Sequence, residues 1–205
     1  MKKALKVLMI LCFAVGIGLV GYSVYEIASG AMKVEQKKVE AKQLLREAAN
    51  NQKEKMEKGE VDPEEITYDQ GQTIGILSVP KLKRELPIVE GTDEYDLLQG
   101  VGHYSGTALP LQNEQIVLSG HRETVFRGFD KLNIGDIFVV ELPYGSFEYE
   151  IYETEIVDAD DRTVIRPRGE EILTVTTCYP FTYIGDAPNR FIFYAKPVNQ
   201  NNEGT

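Results

Sequence analysis

Val7 to Tyr25 is a run of nineteen residues without a charged side chain, about the length of helix that crosses ~30 Å of hydrocarbon at ~1.5 Å per residue. In lipid every backbone N–H and C=O of a single span must be paired within the segment, so the run is restricted to a helix. It is longer than the apolar core of a secretory signal, roughly 7–15 residues, and is read as a retained anchor over residues 7–28. Ala28-Ser29-Gly30 nevertheless has the small residues of a cleavage site. Lys2, Lys3 and Lys6 make residues 1–6 a basic, cytoplasmic N-terminus. Lys33, Lys37, Lys38, Lys42 and Arg46 follow on the other side, so basic charge does not settle orientation.

Residues 29–71 read as a polar stalk. Good helix formers dominate residues 33–60, but Val34, Val39, Leu44, Leu45 and Met56 form only a thin apolar stripe. Without heptads a coiled coil is disfavoured, and a solvated spacer, helical or disordered, is expected. From Thr73 the texture changes to short β-branched and aromatic runs punctuated by Gly and Pro. The expected strands are Thr73–Val79, Glu85–Val89, Gln115–Ser119, Ile137–Leu142, Phe147–Val157, Ile172–Cys178 and Arg190–Pro197, with helical turns at Asp93–Gln99 and Val125–Lys131. This pattern predicts an all-β sandwich or closed barrel over residues 72–198, followed by a polar tail, 199–205.

Charge divides the same way. Residues 1–60 carry 11 basic and 7 acidic side chains, whereas residues 61–205 carry 11 and 25. Such an acidic domain lacks the basic face that nucleic acid requires. The two cysteines, Cys12 in the apolar run and Cys178 in the β-region, exclude a disulfide framework, a CxxC pair and a cysteine-based zinc cluster. The two histidines exclude a His-rich metal site. The acidic clusters Asp158–Asp161 and Asp93–Asp96 read as solvated loops, since neither fits an EF-hand.

Chemistry concentrates at the last two strands. If these form an antiparallel hairpin, Cys178 closes the first and Arg190 opens the second at the same end of the sheet. A guanidinium beside a thiol favours the nucleophilic thiolate. The plainer reading is a buried structural cysteine and an arginine satisfied by Asp186 or another carboxylate of this acidic domain. Two histidines are candidates for an acid/base partner: His121, where Ile116-Val-Leu-Ser-Gly ends in a glycine turn, and His103, in the glycine-rich Gly100–Gly106. Residue chemistry alone leaves that choice open.

Thr174-Val-Thr-Thr-Cys178 resembles the sortase signature Thr-Leu-x-Thr-Cys, with Val175 in place of Leu. Leu118-Ser-Gly-His121 resembles the segment carrying the sortase histidine, and Asn189-Arg-Phe-Ile-Phe193 the strand carrying its arginine. Gly102–Pro110, with the later Gly-His-Arg, looks most like class D sortases of Gram-positive bacteria. The resemblance spans about Gln72 to Val198 plus the anchor.

It implies a closed eight-stranded β-barrel and a membrane-anchored cysteine transpeptidase with its catalytic domain outside the cell. Such an enzyme cleaves a Leu-Pro-x-Thr-Gly/Ala-like sorting signal of secreted proteins after Thr. It then passes the acyl group to a peptidoglycan-precursor amine, with no cofactor and no metal. By the same resemblance Cys178 is the nucleophile, His121 the general acid/base and Arg190 the oxyanion and positioning group. Val164, Ile165 and Pro167 then belong to a mobile wall of the peptide groove. Two other readings stand beside it: a peptidase that gives the acyl group to water, and a non-catalytic tethered β-domain.

Overall fold

The computed structural model describes residues 2–56, 66–182, 185 and 187–198, with backbone alone for 2–5, 8 and 50–56. The polar tail, Asp186 and part of the stalk therefore lie outside the described residues. Helix α1, Lys2–Met56, is followed by β1 (Thr73–Val79), β2 (Arg84–Glu90), the short α2 (Glu94–Leu97) and β3 (Val101–His103). Then come β4 (Gln115–Gly120), β5 (Ile137–Leu142), β6 (Gly145–Asp158), β7 (Ile172–Tyr179) and β8 (Asn189–Pro197). Each expected strand forms to within two residues at either end, and the turn at Asp93–Gln99 holds α2. Of Val125–Lys131 only Phe129–Lys131 is a 3-10 turn.

The strands close into a barrel in the order β1-β2-β3-β4-β7-β8-β6-β5. β2/β3 and β4/β7 are parallel pairs, and the remaining pairs are antiparallel. Closure leaves no sheet edge to pair with other chains. Phe126, Phe129, Phe138 and Phe193 fill the interior, Phe126 lying on Phe129 with ring centroids 4.2 Å apart. Phe193 meets Phe129 and Phe138 edge-on at 6.2 and 6.0 Å, the arrangement the ring quadrupole favours.

β3 is absent from the strands expected from sequence. Val-Gly-His is short and has little β-propensity of its own. It is a strand because β2 pairs on one side (Ile88 with Val101) and β4 on the other (His103 with Leu118).

The spacer also behaves differently from expectation. α1 is one helix from the apolar run to Met56, and its second half lies on β1 and β2. From Lys33 to Ala48 the partly or fully buried positions are Lys33, Val34, Lys37, Lys38, Ala41, Lys42, Leu44, Leu45 and Ala48, a stripe of three- and four-residue steps on one helical face. Ala41 is fully buried, because a methyl group lets the helix backbone approach the sheet. Lys33 Nζ lies 5.6 Å from the Tyr95 ring centroid beside α2. Further along, Lys37 Nζ donates to the Gly71 carbonyl at 3.4 Å, and Lys42 Nζ stands 2.6 Å from the Glu85 carboxylate. The helix therefore enters at the end of the barrel where β2 finishes and travels toward the end where β2 begins. The first half of α1 keeps its apolar side chains uncovered, and it is long and apolar enough to cross a membrane.

Candidate active site

β7 and β8 pair in register, with Cys178 opposite Arg190 and Thr176 opposite Ile192. Leu173 and Val175 join Phe193 and Ala195 in the core. Strand alternation therefore turns Thr174, Thr176 and Cys178 outward, together with Arg190, Ile192 and Tyr194. Directly opposed residues of an antiparallel pair have Cβ atoms ~4.5–5.5 Å apart. The sulfur-bearing and guanidinium-bearing side chains thus start side by side at one barrel end. Both residues are half-buried, so Cys178 is not a core residue. Arg190 Nη1 donates to the carbonyls of Ala187 and Asn189 at 3.3 and 3.1 Å, which steadies the guanidinium over its own turn.

β4 supplies the third group. It runs parallel to β7, and Gly120 pairs with Thr177; His121 follows the one as Cys178 follows the other. The buried Thr177 hydroxyl donates to the Gly120 carbonyl at 2.7 Å and locks the two strand ends together. Gly120 is required by close packing, since a Cβ there would stand 2.7 Å from Val125 Cγ2 and Phe126 Cε2. Beyond it, the Phe126 and Thr124 N–H groups donate to the His121 carbonyl at 3.0 and 3.3 Å. Phe126 is buried in the core, so its anchorage fixes the turn that carries His121 while leaving His121 itself half-buried. Arg84 of β2 braces the same turn by donating to the carbonyls of Arg127 (2.7 Å) and Thr124 (3.3 Å). This end of the barrel is the one farther from where α1 arrives.

His103 has a different environment. It is 3 % exposed, with Nδ1 2.6 Å from Glu90 Oε2 and Nε2 3.0 Å from the Ala108 carbonyl. One ring nitrogen is thus held at a carboxylate and the other at a main-chain carbonyl. Ser105 donates to the other Glu90 oxygen at 2.7 Å. Together these bonds fasten the Gly100–Pro110 segment to the end of β2.

Sequence reasoning singled out no structural role for Arg122, the neighbour of His121. Its buried side chain reaches across the mouth, Nη2 donating to the Gly185 carbonyl at 2.7 Å, in the connection between Cys178 and Arg190. A guanidinium directly after a strand-end histidine was the available signal, but its partner is 63 residues away.

Val164 packs with Val157, Ile172, Ile192 and Tyr194 on the outer face that also holds Cys178. Ile165 is half-buried and Pro167 exposed. This segment is hydrogen-bonded to Glu114 and Gln115 at the start of β4. Burial, followed by the hydrogen bond to Glu155, pushes the Tyr194 phenol beneath it up to about 12.

Comparison with known proteins points to one family. Residues 77–198 match the family model for the sortase domain. The chain is 44% identical over 200 residues to Sortase D of Bacillus subtilis, covering 94% of this chain and 98% of that protein. It is 30% identical to Sortase SrtE1 of Streptomyces coelicolor, covering 79% of this chain and 50% of that one. Among solved structures, the Clostridium perfringens Sortase D5 transpeptidase superposes with a TM-score of 0.62 at 27% identity, over 77% of this chain and 98% of that one. Sortase C1 of Streptococcus agalactiae gives 0.58 at 28% identity, over 64% and 70%. The closed barrel, the family model that matches residues 77–198 and a relative that matches nearly the whole chain lead to one conclusion: the chain belongs to the sortase family of cysteine transpeptidases.

Proposed function

We propose that this sortase cleaves a Leu-Pro-x-Thr-Gly/Ala-like sorting signal after Thr and transfers the acyl group to a peptidoglycan-precursor amine. Cys178 is the nucleophile, His121 the acid/base and Arg190 the oxyanion donor. The observation that carries the assignment is the register of three strands, which sets Cys178 opposite Arg190 and one residue beyond the Thr177–Gly120 pair that leads into His121.

In this reading the Cys178 thiolate attacks the Thr carbonyl carbon, and the tetrahedral oxygen takes hydrogen bonds from Arg190. Such a donor is typically worth ~3 kcal/mol in the transition state. The C–N bond breaks as His121 gives a proton to the departing amine, leaving a thioester on Cys178. The incoming amine gives its proton to His121 as it attacks the thioester. An amide is released, and the thiolate is restored.

In this reading the protein is single-pass, anchored over residues 7–28, with the barrel outside the membrane. Because α1 arrives at the opposite end of the barrel, Cys178 then faces away from the lipid. The docked stretch from Lys33 to Ala48 spans about 22 Å at ~1.5 Å per residue, so the spacing is set by a rod.

The test is intact mass of the full chain in detergent, incubated with a sorting-signal peptide library and then an added amine. A Cys178 acyl adduct released as a new amide supports the proposal. Release only as acid favours the peptidase reading. No adduct from any peptide, with a thiol that alkylates only after unfolding, favours the non-catalytic domain.

A further inference from the structure

β6 and β7 both run antiparallel to β8, so they point the same way. The connection between them, residues 159–171, must therefore start at the Cys178 end and return along the outside of the barrel to the beginning of β7. On the way it lies over Ile192 and Tyr194, next to the outward-facing Thr176, Cys178 and Arg190.

Two consecutive residues entering β4 hold this crossover. Gln115, 2 % exposed, donates through Nε2 to the Val164 carbonyl (2.9 Å) and to Thr174 Oγ1 (2.8 Å). Its Oε1 accepts from the Arg166 N–H at 3.0 Å. The Glu114 carboxylate accepts from the N–H groups of Arg168 and Gly169 at 2.5 and 3.1 Å. Arg168 closes the arrangement: its guanidinium lies 5.1 Å from the Tyr194 ring centroid and donates to the Val164 carbonyl at 3.3 Å. Four backbone groups of residues 164–169 are thus tied to two consecutive side chains at the start of one strand. The other end of that strand leads into His121.

We propose that Glu114 and Gln115 are positioning residues, which hold residues 164–169 as a rigid wall of the substrate groove and so set affinity for the peptide that precedes the scissile bond. The inference rests on the transpeptidase reading above. Hydrogen bonds to backbone donors hold the wall in this scheme. Neither residue touches the reacting atoms, so their loss should act on peptide binding and leave the chemical step intact.

The experiment compares the full-length wild type with Glu114→Ala, Glu114→Gln and Gln115→Glu, using a sorting-signal peptide and amide hydrogen exchange on the same samples. In Glu114→Ala the amides of Arg168 and Gly169 should exchange faster. KM for the peptide should rise about tenfold with kcat within about twofold, the pattern of lost uniform binding for a bond to a charged group. Glu114→Gln keeps one acceptor oxygen and should recover part of the loss. Gln115→Glu keeps the bond to Arg166 but not that to Val164, and should also raise KM. Faster exchange with unchanged KM overturns the proposal, because the wall would then be ordered by the clamp without contributing to binding. Unchanged exchange overturns it as well, and so does an equal fall in kcat and kcat/KM with no change in KM. A wild type that forms no acyl adduct with any peptide refutes the transpeptidase reading instead, and the exchange data still report on the clamp.

Discussion

The two histidines should fail in opposite ways. His103 is 3 % exposed and Glu90 7 %, their side chains meet at 2.6 Å, and the ring's second nitrogen is 3.0 Å from the Ala108 carbonyl. His103→Ala takes one hydrogen-bond partner from the buried Glu90 carboxyl and leaves it that of Ser105. Orphaning a buried polar group costs about 1–3 kcal/mol. For a barrel of this size ~1 kcal/mol moves Tm by a few degrees, so a fall of about 5–10 °C is expected. Circular dichroism melts of the full chain in detergent measure it. The double change His103→Leu with Glu90→Leu should recover much of the loss, because removing both polar partners is far less costly than orphaning one. His121, half-buried at a strand end, should show the reverse: His121→Ala keeps Tm within about 2 °C, while acyl transfer falls by about 100-fold or more. An unchanged Tm in His103→Ala would refute the claim that this ring fastens the Gly100–Pro110 segment. Near-normal transfer by His121→Ala together with none by a still-folded His103→Ala would refute the acid/base assignment.

Gly120→Ala should slow transfer at least tenfold, with a ~1–3 kcal/mol loss of stability from overpacking, because its methyl meets Val125 and Phe126 and shifts the turn bearing His121; peptide kinetics and a urea melt check it. Arg190→Lys keeps the charge but loses the planar fork, and kcat should fall by about 100-fold; a rate within twofold of wild type would remove Arg190 from the oxyanion role. The Arg168 N–H, then those of Gln115 and Gly169, holds the Glu114 carboxyl below the usual carboxylate range. A depressed value in the folded state means the clamp is intact from neutral pH down through the ordinary carboxylate range and is lost only as pH falls through the lowered value. KM for the peptide should therefore stay flat over that range and rise only beneath it. Ala41→Glu should free the second half of α1 from the barrel, seen as faster amide exchange along residues 34–48. Glu85→Ala, which removes only surface ion pairs to Lys38 and Lys42, should change Tm by no more than a few degrees, since such pairs contribute about 0–1 kcal/mol.

The site was legible to the extent that it depends on strand order and alternation. Cys178 ends one β-branched run and Arg190 opens the next, so an antiparallel hairpin alone brings them opposite each other, and the register does so. His121 was harder to assign. Placing it requires knowing that β4 lies parallel to β7, 57 positions away. His103 was equally conspicuous on the page, and its burial against Glu90 and Ala108 sets its environment apart from that of His121. The hydrogen bonds that hold residues 164–169 come from Glu114 and Gln115, which carry no local signal and act on partners some fifty residues ahead.

What the sequence by itself determined are the features with a local physical cause. A nineteen-residue uncharged run can only satisfy its backbone in lipid as a helix, and runs such as Phe147-Glu-Tyr-Glu-Ile-Tyr commit to strands through alternation at period two. Tertiary structure alone decided what depends on distant neighbours. Val101–His103 is a strand because β2 and β4 leave a gap of one ladder between them. The polar half of α1 is docked because two alanines, Ala41 and Ala48, admit close approach to β1 and β2, where a count of large apolar residues finds too few to bury. Which histidine is left half-exposed at the barrel mouth is settled by packing. Burial and pairing partners are properties of the closed barrel, and no window of neighbouring residues contains them.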